Sequence, residues 1–195
     1  MLRHDLSSYD VPNIALVGIM GVGKTTIGRR LAKRLGREFF DSDDEIEKAS
    51  GRTVAGYFRD HGEADFREGE KRVISRLLKP EIEKPAIILA TGGGAFAHES
   101  TREFMIKNSL TIWLQGDIDT LMDRVSRNNK RPLLRVDNPR AKMMELLEER
   151  NPLYAQAALH IKIAKGPHVR TVNRVLRTLQ KHLEAQKTQK QDLSA

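Results

Sequence analysis

The chain has 195 residues, a formal net charge of +8 and no cysteine, which suits one domain around a single core and excludes disulfides and thiolate chemistry. Residues 1–12 lack the apolar region of a secretory signal, and no apolar run approaches the ~20 residues that span a bilayer, so the expected location is the cytoplasm. The basic balance leaves three readings open: a solvated surface, a site for small anions, or nucleic acid, the last weakened by an aromatic content of 5% with no basic stretch interleaved with rings.

In chain order, residues 13–17 read as a buried strand that ends in a glycine-rich turn. Residues 24–35 follow as a helix, with Ile27, Leu31 and Leu35 at four-residue spacing. A short strand is expected at 38–41, then helices at 43–50 and 53–60 separated by Gly51. A longer helix at 63–78 carries Phe66, Val73, Ile74 and Leu77 on one side. Residues 86–91 are continuously apolar up to Thr91, as a central parallel strand should be, and stop at Gly92-Gly93-Gly94. A helix at 100–106, a strand at 110–114 and a helix at 118–125 come next. Residues 126–138 read as a polar, basic loop, 139–150 as a helix and 159–163 as the last strand. Val172, Leu176, Leu179 and Leu183 stripe the final helix. Residues 1–10 are expected to be a flexible extension, 11–185 a single domain and 186–195 a disordered tail.

This alternation reads as α/β, with a parallel sheet covered on both faces. Sites in such sheets gather at the carboxyl ends of the strands. The turn after Val17, the residues after Phe40 and the glycines after Thr91 all fall there.

Gly18-Ile19-Met20-Gly21-Val22-Gly23-Lys24-Thr25 matches the phosphate-loop pattern in full, between a strand and a helix. Its glycines let the backbone wrap phosphate oxygens with N–H groups inward, and the helix offers its positive end. Lys24 would reach the outer phosphates and the Thr25 hydroxyl a magnesium ion. GTPases, ATPases, nucleotide kinases and metabolite kinases all share this loop, so it leaves the reaction open.

On the acceptor side, Asp41-Ser42-Asp43 suits either a helix N-cap or a pair of carboxylates serving metal and acceptor hydroxyl. Arg67 and Glu70, three apart on a helix, suit a surface ion pair or an arginine held ready for a substrate carboxylate. The three glycines suit a flexible turn or a place where ligand meets backbone. Arg131-Pro132-Leu133-Leu134 lies in the polar loop and suits either an exposed basic segment, with Arg127, Lys130 and Arg135 nearby, or an arginine that closes over phosphates. Arg150 sits near a helix end, which Pro152 is expected to stop, and could simply compensate the helix C-terminus. The histidines at 4, 61, 98, 160, 168 and 182 have no zinc-ligand spacing and read as ordinary surface or core residues.

In this order, the P-loop, D-x-D, F-R-x-x-E, G-G-G, R-P-L-L and R-x-P-L-Y resemble shikimate kinase, over about residues 13–182. The resemblance implies a P-loop NTPase fold like that of nucleoside monophosphate kinases, three-layered (α/β/α), with a five-stranded parallel sheet and a lid at about 126–139. It implies transfer of the γ-phosphoryl group of ATP to the 3-hydroxyl of shikimate, with Mg2+. Gly21, Val22, Gly23, Lys24, Thr25 and Thr26 would hold the phosphates, Thr25 would ligate the metal and Asp41 would support it through water. Asp43 would bind the acceptor hydroxyls and act as base. Arg67 and Arg150 would grip the carboxylate, and Gly93 and Gly94 would offer backbone contacts. Arg131 would be the lid arginine, and Arg124 would stack on adenine. Lys24, Asp43 and Arg131 are thus the expected catalytic residues. Two departures stand out: Ala90 where some members carry a hydroxyl or carboxylate, and a weak match at 163–170, the adenine loop. The expected partners are shikimate and ATP, with no nucleic acid and no membrane, and the chain is expected to be a monomer. The alternatives are another P-loop metabolite kinase, such as a gluconate kinase, or a nucleotide-switched nucleic-acid-binding protein.

Overall fold

The computed structural model describes residues 6, 9–79, 85–126, 134, 136–163 and 166–192. Five strands form one sheet: β1 (Ile14–Val17), β2 (Phe39–Asp41), β3 (Ile88–Ala90), β4 (Leu110–Gln115) and β5 (Leu159–Lys162). They lie in the order β2-β3-β1-β4-β5, and every neighbouring pair is parallel. β1 and β3 are buried at every residue, because helices cover both faces and continuous apolar runs are what such strands require.

The helices are α1 (Lys24–Leu35), α2 (Ser42–Ser50), α3 (Val54–Leu78), α4 (Glu99–Asn108), α5 (Ile118–Ser126), α6 (Pro139–Tyr154) and α7 (His168–Asp192), with a 3₁₀ turn at Ala95–Ala97. α1 packs with α7, and α3 with α4. From β1 the chain moves outward to β2, returns to β3 and then crosses to β4, which makes the carboxyl end of β1 the switch point where ligands bind in open parallel sheets. At that end Gly18 has φ 132°, and a β-carbon there would lie 2.6 Å from the Leu114 carbonyl oxygen. Only glycine lets the chain leave β1 this close to β4.

The sequence divides 53–78 into two helices, and the structure joins them as α3 with a break at Gly62 (φ 79°, ψ 175°). Three expectations are corrected. Pro152 does not stop α6, which continues to Tyr154. Proline removes one N–H near the helix end, while Tyr154, 1% exposed, anchors the last turn between Phe96 and Trp113. The final helix does not stop at 185 but runs to Asp192. Glu184, Ala185, Gln186 and Lys187 are exposed good helix formers, and no glycine or proline follows before Asp192 to end it. Within the supposed extension 1–10, Leu6 is buried and Tyr9 packs on the core. Apolar side chains there find a surface that polarity along the chain does not reveal.

Lys187 lies over the Tyr9 ring at 5.9 Å, a contact that contributes about 0.5–1 kcal/mol at an exposed site. Truncation after Gln186 is therefore expected to lower the melting temperature by no more than about 2–4 °C. A larger drop in a thermal melt would mean that the end of α7 docks more firmly.

Candidate active site

The phosphate loop owes its shape to backbone that side chains resist. Gly21 has φ 79° and Gly23 φ 96°. Gly23 caps α1 with no side-chain hydrogen bond, and the first turn of α1 holds no acidic residue. The first N–H groups of α1 thus point toward the loop with the positive end of the helix dipole behind them. Lys24 is buried, and its Nζ donates to the carbonyls of Gly18 (2.6 Å) and Ile19 (3.1 Å). These contacts keep the ammonium on the loop. Arg124 reaches across from α5 and donates to the Val22 carbonyl at 3.0 Å. Thr26 is exposed on the first turn of α1.

Thr25 and Asp41 meet at the carboxyl ends of β1 and β2. The Thr25 hydroxyl donates to Asp41 Oδ2 at 2.7 Å. Asp41 Oδ1 accepts the Asp43 N–H at 3.1 Å and so caps α2. Of the two readings of this acidic pair the helix cap is realised, by Asp41 Oδ1, while Asp41 Oδ2 is held by the Thr25 hydroxyl. Ser42, fully buried, accepts the Gly92 N–H at 2.9 Å. Sequence reasoning missed Ser42, whose only signal was its place between the two aspartates. Ala90 is buried, and the next hydroxyl, on Thr91, donates to the Leu16 carbonyl at 3.2 Å.

Each glycine after β3 yields to a different neighbour. A β-carbon at Gly92 would lie 2.7 Å from Asp43 Oδ1 and 2.8 Å from Glu70 Oε1. At Gly93 it would approach the Met20 backbone nitrogen at 3.3 Å. At Gly94 it would collide with the Arg67 guanidinium, with Nη1 at 2.7 Å. The triplet is a junction where phosphate loop, carboxylates and arginine meet on bare backbone.

Arg67 lies over the rings of Phe66 and Phe58. Its Nη1 donates to Glu70 Oε2 at 2.7 Å and its Nη2 to Glu63 Oε1 at 3.1 Å. Arg67 is 16% exposed and Glu70 1%, so the pair is no surface bridge. Burial alone would lower the Arg67 pKa, but Glu70 and Glu63 outweigh it and the result is raised. Burial pushes Glu70 up to about 6, against the pull of Arg67 and with a push from Asp43. A guanidinium stays charged, so Glu70 is the partner that titrates. Its Oε1 is buried and has no hydrogen-bond partner among the described residues.

Arg150 arrives from α6 and donates to the Gly93 carbonyl at 3.4 Å. The Tyr154 hydroxyl, which sequence reasoning left unassigned within R-x-P-L-Y, donates to the same oxygen. Burial pushes the Tyr154 hydroxyl up to about 12, which keeps it a donor. The structure thus brings Lys24, Thr25, Asp41, Asp43, Arg67, Gly93, Gly94, Arg124 and Arg150 to one edge of the sheet. Arg131 and most of the expected lid at 126–139 lie outside the described residues.

A parallel sheet with a phosphate loop at its switch point, opposed by acidic and arginine side chains around bare glycine backbone, defines a P-loop kinase. The family model for shikimate kinase matches residues 20–180. A shikimate kinase of Novosphingobium aromaticivorans is 44% identical over 93% of this chain and 100% of its own length. One of Bradyrhizobium diazoefficiens is 47% identical over 91% of this chain and 84% of its own. The solved shikimate kinase of Acinetobacter baumannii, in complex with shikimate, superposes with a TM-score of 0.83 at 39% identity, covering 90% of this chain and 97% of that one. The chain belongs to the shikimate kinase family, a family of ATP-dependent kinases. A gluconokinase of Sinorhizobium meliloti, 18% identical with a TM-score of 0.54, shares the fold alone.

Because the folded pKa of Glu70 is raised, its protonated form is favoured by folding. The associated stability is full below about pH 4.5 and lost as pH rises through about 6. The stability of the wild type minus that of Glu70→Gln should therefore grow by about 1–2 kcal/mol between pH 7 and pH 4. Urea unfolding of both proteins at the two pH values measures this. A difference that shrinks on acidification would show that Arg67, not burial, dominates.

Proposed function

We propose that the chain transfers the γ-phosphoryl group of ATP to the 3-hydroxyl of shikimate, giving shikimate 3-phosphate and ADP. The observation that carries this reading is the pair of arginines, Arg67 and Arg150, held on the same glycine backbone as Asp43 and beside the phosphate loop. A carboxylate is a natural handle far from a reacting hydroxyl, and a planar guanidinium grips both of its oxygens. Asp43 then takes the hydroxyl end, so the ring is held at two places and the 3-oxygen faces the phosphate loop.

Phosphoryl transfer asks little covalent chemistry of a protein and much positioning and charge stabilisation. The 3-oxygen attacks the γ-phosphorus, the bridge to the β-phosphate breaks, and the hydroxyl proton passes to Asp43. Lys24, with Gly21, Val22, Gly23 and the N–H groups of Thr25 and Thr26, holds the phosphates and offsets charge on the transferring group. Glu70 acts through Arg67 by fixing its fork. Thr25 and Asp41 are oxygen donors of the type magnesium prefers. They would hold that ion, Asp41 through water, and when bound it supplies charge neutralisation on the phosphates. Among the described residues no group of three or more His, Cys, Asp or Glu side chains could hold a metal by itself, which fits an ion that takes its remaining ligands from nucleotide and water. Arg131 is assigned as the lid arginine and Arg124 as the adenine contact on the strength of the resemblance. We further propose a cytoplasmic monomer that acts on these small molecules and not on nucleic acid. Among the described residues no helix is long and apolar enough to cross a membrane.

A coupled ADP-release assay against shikimate, gluconate and other hydroxy acids tests the reading. Turnover that depends on shikimate supports it, and equal turnover without shikimate overturns it. Lys24→Met should fold and lose at least about 10²–10³-fold in kcat, since it removes charge beside the transferring group. Near-normal turnover of the folded variant would remove Lys24 from the chemistry.

Arg67→Lys should leave the Kd for ATP unchanged and lower kcat/KM for shikimate by about 2–4 kcal/mol. A shikimate ester should suffer a similar loss with the wild type. The two losses should not add, because both remove one contact. Full additivity in steady-state kinetics would show that Arg67 does not hold the carboxylate.

A further inference from the structure

His168 opens α7 at the corner where α1 also begins. A β-carbon at Gly23 would lie 3.4 Å from Arg124 Nη1 and 3.6 Å from His168 Cε1. The ring therefore forms part of the wall beside the last residue of the phosphate loop. Its Nδ1 is buried and has no hydrogen-bond partner among the described residues. Both helix N-termini bring positive dipole ends to this place. Among the described residues, the charged groups that act on the ring are Arg124, from α5, and Arg30, from α1. Burial, then Arg124, then Arg30 lower the His168 pKa. Burial and both arginines thus oppose a proton on this imidazole.

Several negative charges set on the first turn of α1 would reverse that balance. They would attract a proton to the ring, and a protonated imidazole donates from both nitrogens. We propose that His168 is a further nucleotide-binding residue, which takes up a proton as the phosphates of a nucleotide settle on the N-terminus of α1. The inference rests on the phosphate-loop reading above and deepens it. Nucleotide affinity then depends on pH through this ring. The ring's pKa is raised by binding, so its contribution is full at low pH and is lost as pH rises through the pKa of the complex. Acceptor binding is untouched, because His168 belongs to the nucleotide end of the site.

Titration calorimetry with the magnesium complex of ADP tests this on the full chain, wild type and His168→Gln, from pH 5.5 to pH 8. A rise of one unit in the ring's pKa on binding makes the wild-type Kd increase more than that of the variant over this range, by up to about ten-fold. Wild type should also take up more protons than the variant, read from binding enthalpies in buffers of different ionisation enthalpy. In steady-state kinetics at pH 6, His168→Gln should raise KM for ATP and leave KM for shikimate unchanged. Should the variant not fold, proton NMR of the wild-type imidazole decides, with an upward pKa shift expected on adding the complex. Parallel Kd–pH curves, or an imidazole pKa that stays or falls on binding, would overturn the inference while leaving the phosphate loop in place. Failure of the wild type to bind the complex at any pH would overturn the nucleotide-site reading and this inference together.

Discussion

The backbone after β3 can lie against phosphate loop, carboxylates and guanidinium at once because three successive residues there have no side chain. Gly92, Gly93 and Gly94 meet Asp43 with Glu70, the Met20 backbone and Arg67 respectively. A methyl group at any of them would push one partner away, at contact distances real β-carbons do not or seldom tolerate. The spacing between the phosphate loop and the Asp43, Glu70 and Arg67 side chains runs through this junction. Ser42 fixes it from one side through the Gly92 N–H, and Tyr154 and Arg150 from the other through the Gly93 carbonyl. A loop of three glycines is flexible in isolation, but here its hydrogen bonds and neighbours leave it little freedom.

The charges around the junction follow from burial. A guanidinium at 16% exposure and a carboxylate at 1% are too far from water to stand alone. Arg67 therefore needs Glu70 and Glu63, and its two ring contacts. The arrangement keeps one face of the fork toward the glycine backbone. Asp41 shows the same economy of contacts: one oxygen caps α2 and the other accepts from Thr25. One residue thus starts α2 and holds the Thr25 hydroxyl, which ties α2 to the phosphate loop.

Much of this was legible along the chain. Strand and helix periods located the sheet, because side-chain burial repeats every two or 3.6 residues regardless of what lies opposite. The phosphate loop was legible in full because its work is done by eight consecutive residues and by the helix that follows. The glycine triplet, Arg67, Arg150 and Asp43 could be singled out, yet each kept a bland alternative, since an ion pair or a turn looks alike on a surface and in a cleft. The stop expected at Pro152 and the tail expected after 185 were misplaced because local helix signals do not register anchoring of Tyr154 or a solvated run of good helix formers.

By itself, then, the sequence determined the α/β class and the phosphate loop, and it singled out the glycines, carboxylates and arginines around them. The tertiary structure decided which of them meet. Ser42 reaches Gly92 across 50 residues and Tyr154 reaches Gly93 across 61. Glu70 and Arg67 are neighbours on any helix, but packing of Arg67 over Phe58 and against Gly94 helps to bury their pair. Local patterns are fixed by backbone geometry over a few residues. Burial, desolvation and contacts between distant segments exist only once the sheet has brought the carboxyl ends of β1, β2 and β3 side by side.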